Sequence, residues 1–158
     1  MEPLIVLVVA FAVVLIITRI FSSQFKVAFS ARIAMSVMLV FTAVAHFAFT
    51  EGMAMMIPSF IPFKIGLIYF TGIIEILLAV GLLIPATRLI AGWCLIAHFI
   101  LLLPANIYAA IYNINYQEGS YDGKGLNYLW FRVPLQILFI VWVYFSTIKF
   151  TSLPKQNN

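Results

Sequence analysis

The chain has 158 residues, of which 65% are hydrophobic, 16% aromatic and only 9% charged, with a formal net charge of +4. A soluble domain carries about a quarter charged residues, so this composition excludes a water-soluble globular protein and points to one polytopic membrane domain over 1–158. The basic residues sit at the ends of apolar runs rather than along one face, which excludes a nucleic-acid partner and reads as membrane topology.

Five apolar runs are long enough to span a bilayer: 4–21, 32–50, 65–84, 89–111 and 129–148. Each is expected to be a helix, because continuous spans in lipid must satisfy their backbone hydrogen bonds internally. The first, "MEPLIVLVVAFAVVLIITRIF", lacks a basic n-region and a small-residue cleavage site, so it is expected to be an uncleaved span. Between the second and third runs lies "EGMAMMIPSFIPFK", apolar, Met-rich and broken by Pro58 and Pro62. It is too short and kinked to span, and is expected to lie in the interface or fold back over the bundle. The third and fourth runs meet at the short turn "IPATRL". The fourth and fifth are joined by "YNINYQEGSYDGKGLNY", a polar, aromatic, Gly-containing outer loop. A short tail occupies 149–158.

Arg19, Lys26, Arg32, Arg88, Lys149 and Lys155 fall on one side of this arrangement; Glu2, Glu51, Lys64, Glu118, Asp122 and Lys124 fall on the other. The positive-inside rule then puts the N-terminus outside and the C-terminus in the cytoplasm. The single cysteine, Cys94, lies within an apolar run, so no disulfide within the chain and no CxxC chemistry is available; it is expected to be a helix-packing residue.

An ionisable side chain inside a span costs about 2.5–3.5 kcal/mol on insertion scales, so each needs a partner. His46, Glu75, His98, Asn106 and Arg132 are the polar residues concerned. From the helical rise, His46, Asn106 and Arg132 lie roughly 6 Å below the outer ends of their spans, Glu75 roughly 15 Å down and His98 deeper still. Helical spacing groups Gly72, Glu75 and Ala79 on one stripe, and Leu39, Ala43, His46 and Thr50 on another. A third groups Ala91, Cys94, His98, Ala105 and Ala109, and a fourth Arg132, Gln136 and Phe139. Small residues beside polar ones mark close helix contacts, so these groups are expected to face one another.

Glu75 reads either as a carboxyl group for proton relay or ligand contact, or as a structural partner of Arg132 first and His46 second. Arg132 has the further alternative of snorkelling to the interface, and His46 of interface packing. His98 is expected to donate to a neighbouring carbonyl. Asn106 is expected to serve backbone freed by Pro104 or to touch a ligand. Tyr69 and Gln136 complete the set of candidate ligand-binding or proton-relay residues. No His-x-x-x-His or Glu-x-x-His pair is present, so no metal site is expected. No nucleophile–base pairing, phosphate loop or dinucleotide fingerprint is present, so the chain carries no self-contained catalytic motif.

The strings "HF", "MIPSFIP", "YFTGIIEILLAVGLLIPATRLIAGW", "LLLPANIYAAI" and "FRVPLQ" resemble the DoxX-like family of small bacterial membrane proteins over about residues 31–148. The resemblance implies an all-α membrane bundle in the bacterial inner membrane, with a four-helix core and the run 4–21 as an added N-terminal helix. It also implies a link to membrane oxidoreductase complexes, since the family is named for its likeness to a subunit of a thiosulfate:quinone oxidoreductase; more distant relatives are assembly or cargo factors. The family's polar positions fall here on His46, Glu75, Asn106, Arg132 and Gln136.

Two functions remain open. One is an accessory, quinone-interacting subunit of a membrane oxidoreductase system, with no cofactor in the chain itself beyond a bound quinone and with partner subunits supplying the electron carrier. The Met-rich outer loop would be its lid. The other is a non-catalytic assembly or scaffold protein whose polar cluster fixes helix register. A transporter is a distant third, since five spans leave little room for a pore without a homo-oligomer.

Overall fold

All five apolar runs are helical in the computed structural model, which describes residues 2–149. The expected tail beyond Lys149, with Lys155, lies outside the described residues. The helices are α1 (Glu2–Ser22), α2 (Val27–Ala48), the short α3 (Thr50–Met55), α4 (Lys64–Leu83), α5 (Arg88–Ile111) and α6 (Leu129–Val143). A 3-10 turn, Gly125–Tyr128, leads into α6, and a π-helical segment, Tyr144–Lys149, continues it. Five helical stretches are long and apolar enough to cross a membrane. At about 1.5 Å per residue, 20 residues cover the ~30 Å hydrocarbon layer. There is no strand among the described residues; one isolated bridge joins Asn115 and Ser120 in the loop before α6.

Proline chemistry sets several of the breaks. Ile84 precedes Pro85 and is extended (φ −82°, ψ 120°), which ends α4, because the proline ring disfavours helical backbone at the residue before it. Pro58 and Pro62 keep the segment between α3 and α4 from forming a longer helix.

The helix α2 is the hub. It packs on α1 and α4, α4 packs on α5, and α5 on α6. The outlying helix α1 buries only Leu7 and Thr18 and leaves Ile5, Val9, Val13, Ile16 and Ile20 exposed. Its Phe11 stands edge-on to Trp142, with ring centroids 5.1 Å apart. The apolar core lies toward the end of the bundle where α2 and α5 begin, around Met35, Leu39, Leu82, Leu95 and Val143, all nearly inaccessible. Cross-helix hydrogen bonds tie this end together: the Ser36 hydroxyl donates to the Ala79 carbonyl (2.8 Å), and the Trp142 indole to the Ala31 carbonyl (3.0 Å).

The α2–α4 contact depends on Gly72. A Cβ there would sit 3.0 Å from the His46 Cβ and 3.3 Å from the Phe47 ring. Gly72→Leu is therefore expected to force the two helices apart and cost about 1–3 kcal/mol. A thermal unfolding midpoint in detergent equal to that of the parent would contradict this close approach.

Cys94 is exposed rather than a packing residue. The inward stripe of α5 runs instead through Ala91, Leu95, His98, Asn106 and Ala109. Cys94 falls at the edge of that stripe and turns outward.

Candidate functional site

Thr42 and His46 lie one helical turn apart on α2 and so share a face. Glu75 projects toward them from α4, with Gly72 and Ala79 buried on the same stripe. His98 reaches the same point from α5. The Glu75 carboxylate is 3% exposed. Its Oε2 lies 2.7 Å from the Thr42 hydroxyl, and its Oε1 lies 3.3 Å from the His98 Nε2. The His46 Nδ1 stands 3.8 Å from Oε2 and 2.9 Å from the Thr42 carbonyl.

These distances assign the protons. The Thr42 hydroxyl has one hydrogen and two acceptors in reach, Glu75 Oε2 at 2.7 Å and the Leu39 carbonyl at 3.0 Å. The shorter, charge-assisted bond takes it. The His46 Nδ1 cannot accept from a carbonyl, so it carries its proton toward the Thr42 carbonyl. His98 then donates from Nε2 to the carboxylate. One carboxyl group thus joins α4 to α2 and α5.

Above this cluster lies a cavity of about 910 Å³, bordered by both histidines and Glu75 at its deep end. That volume is in the range of small-molecule sites. Its walls are mostly apolar, with Phe49, Met53, Met56, Ile61, Leu102 and Phe139 among them, but Asn106 and Arg132 also border it, and its mouth carries Glu2, Asp122 and Lys124. Gln136 on α6 also borders it and donates to the Phe99 carbonyl at 2.5 Å. The helix α3 and the chain after it border the cavity, as the kinked outer segment was expected to do if it folds back. At the mouth, burial pushes the Tyr116 hydroxyl above its ordinary range, which keeps it a neutral donor. The Ser120 hydroxyl donates to Asp122 and holds that carboxyl below the usual range.

Arg132 is not the partner of Glu75. Its Nε donates to the Asn106 Oδ1 at 3.1 Å. Arg132 sits near the outer end of α6 and Glu75 midway along α4, a separation in depth of roughly 12 Å by the helical rise, longer than a side-chain arm. Asn106 does not cap the carbonyl that Pro104 frees, which belongs to Ile100; its Nδ2 donates to the Leu102 carbonyl (2.9 Å), leaving Oδ1 for Arg132. His98 is not a packing residue bonded to a carbonyl but a direct neighbour of Glu75. Counting from the ends of antiparallel α4 and α5 puts the two within roughly 3 Å of the same depth. Tyr69 is outside the site: it is 42% exposed, stacked on Phe47 at 5.7 Å, and does not border the cavity. Thr42 was missed by the sequence reading; its only sign there is its position one turn before His46.

Among the described residues, no group of three or more His, Cys, Asp or Glu is arranged to hold a metal ion.

Fold and site together define a helical bundle with membrane-spanning-length helices around an apolar cavity that ends on a buried carboxyl group. Residues 35–147 match a family model described as Domain of unknown function (DUF8561), and the chain belongs to that family. The match covers the cavity-forming helices α2 to α6, apart from the first turns of α2, and leaves α1 outside. No curated protein and no solved structure matches the chain.

Proposed function

We propose that the protein is a DoxX-like subunit of the bacterial inner membrane that binds a quinone-type molecule for a membrane oxidoreductase system. Its N-terminus lies outside and its C-terminus in the cytoplasm, following the one-sided distribution of Arg19, Lys26, Arg32, Arg88 and Lys149. The observation that carries this is the cavity whose apolar walls lead down to Glu75, His98 and His46. A quinone pairs a flat apolar ring with two carbonyl acceptors. The His98 N–H at the cavity floor, shared between Glu75 and the ligand, supplies a donor for one of these acceptors, and the aromatic and Met-lined walls suit the ring. The buried carboxylate beside two imidazoles is also a route for the protons that quinone reduction consumes. The electron carrier belongs to a partner subunit.

Titration of the purified protein with a short-chain ubiquinone or menaquinone analogue, followed by intrinsic tryptophan fluorescence, is expected to saturate. Glu75→Gln, which leaves the shape but removes the charge that orients His98, is expected to weaken binding about tenfold, the equivalent of one lost hydrogen bond to a charged group. Absence of saturable binding in both proteins would overturn the quinone assignment.

A scaffold role has one observation in its favour. Glu75 links three helices through Thr42, His98 and the nearby His46, as a register-fixing polar residue would. Under that role Glu75→Gln changes stability while the titration stays flat.

A further inference from the structure

The opposite end of the bundle holds a second polar group that the cavity does not touch. Arg32, on the first turns of α2, is only 9% exposed and donates from Nη1 to the Ser146 carbonyl at 2.8 Å. Arg88 opens α5 one turn before Gly92, which packs closely against Thr147 and Ile148, so both arginines border the same π-helical segment. The Arg88 Nε is buried and makes no hydrogen bond among the described residues; the hydroxyl of Ser30, on the same turns of α2 as Arg32, is likewise buried without a partner. The five acidic residues of the chain are Glu2, Glu51, Glu75, Glu118 and Asp122. None of them lies at this end: Glu75 sits mid-helix, and the rest lie at or beyond the opposite helix ends. Among the described residues no Lys or Arg pairs with a carboxylate; the acid–base contacts are those of Glu75 with the two histidines.

Two guanidinium groups bordering one short segment, one of them nearly buried and neither paired with an Asp or Glu among the described residues, favour the approach of an anion. Their planar donor forks match a phosphate group, which accepts two N–H bonds at once. Their surroundings match the level of lipid headgroups. Trp142 holds its indole N–H on the Ala31 carbonyl next to Arg32, and Lys149 lies 5.0 Å from the Phe145 ring centre. Such aromatic and basic residues gather where hydrocarbon gives way to headgroups.

We propose that Arg32 and Arg88, at the junction of α2, α5 and the π-helical segment, form a binding site for the phosphate of an anionic phospholipid. This site is independent of the cavity and of its ligand. The neighbouring Lys26 is exposed and contributes only to the general positive field of this end.

Native mass spectrometry of the full chain, released from detergent with phosphatidylglycerol added, tests the site. The parent protein is expected to retain the lipid, and Arg88→Gln to retain it about tenfold less, the loss of one charge-assisted hydrogen bond. Arg88→Lys is expected to fall between them, because an ammonium keeps the charge without the fork. Lys26→Gln removes the same charge at the same end and is expected to leave retention nearly unchanged. Equal retention by the parent and Arg88→Gln would overturn the site, and so would equal losses in Arg88→Gln and Lys26→Gln, which would mean a diffuse field. Displacement of the lipid by soluble glycerol phosphate at equal concentration would overturn the lipid as the source and assign the pair to a free phosphate ester. Should Arg32→Gln fail to fold because Ser146 loses its donor, Arg88→Gln still decides, since the buried Arg88 Nε bonds to no other described residue.

Discussion

Glu75→Ala is expected to lower the stability of the folded bundle by about 2 kcal/mol. The carboxylate is the acceptor for the Thr42 hydroxyl and the His98 Nε2, both inside the bundle. Removing it strands the His98 N–H, while the Thr42 hydroxyl turns back to the Leu39 carbonyl 3.0 Å away, and a stranded donor costs more than the net worth of the bond it made. Glu75→Gln keeps one acceptor oxygen and nearly the same volume, so its loss is expected to be under about half as large. Thermal unfolding in one detergent, with Thr42→Val measured alongside, separates the terms. Thr42→Val removes one donor, so on the Glu75→Ala background it is expected to cost less than on the parent. Equal costs on both backgrounds would mean that Thr42 and Glu75 are not coupled.

Gly52→Ala is the second large effect. A Cβ at position 52 would stand 1.9 Å from the carbonyl oxygen of Tyr116 and 2.7 Å from its carbonyl carbon. Both are backbone atoms, so no rotamer change relieves the clash; α3 must lift off the loop before α6. Those two segments border the mouth of the cavity, along with Met53, Met56 and Tyr116. The expected result is a loss of about 1–3 kcal/mol together with faster proteolytic cleavage in the segment 112–128. Ligand affinity is expected to fall with it, because the cavity loses one wall. A cleavage rate equal to that of the parent would contradict the close packing of α3 on the loop.

The spans were legible because each is a long apolar run whose charges lie at its ends. The boundaries shifted by up to five residues, most at the start of α2, which begins at Val27, before Arg32, rather than at the charge itself. The stripes on α2 and α4 were legible from 3.6-residue spacing, and Ala43, His46, Gly72, Glu75 and Ala79 are all buried. The stripe on α5 was not, because any small residue fits a spacing pattern, and Cys94 fell on the lipid-facing side. Partner identity was legible least. Charge alone pairs Glu75 with Arg132, but charge carries no depth, and antiparallel α4 and α5 bring His98 level with Glu75 instead. Thr42 was invisible for a related reason: a threonine one turn from a histidine is common in helices, and only the facing carboxylate gives it a role.

In the proposed function, the deep end of the cavity, at Glu75 and His98, receives the carbonyl head of a quinone-type ligand. Soaking crystals of the protein with a ring-brominated short-chain menaquinone analogue and measuring the anomalous signal locates the ring directly. The bromine peak is expected within the cavity, above the Glu75 carboxylate and between the walls formed by Met53, Leu102 and Phe139. A peak found only on the lipid-facing surface, with the cavity unchanged, would contradict it.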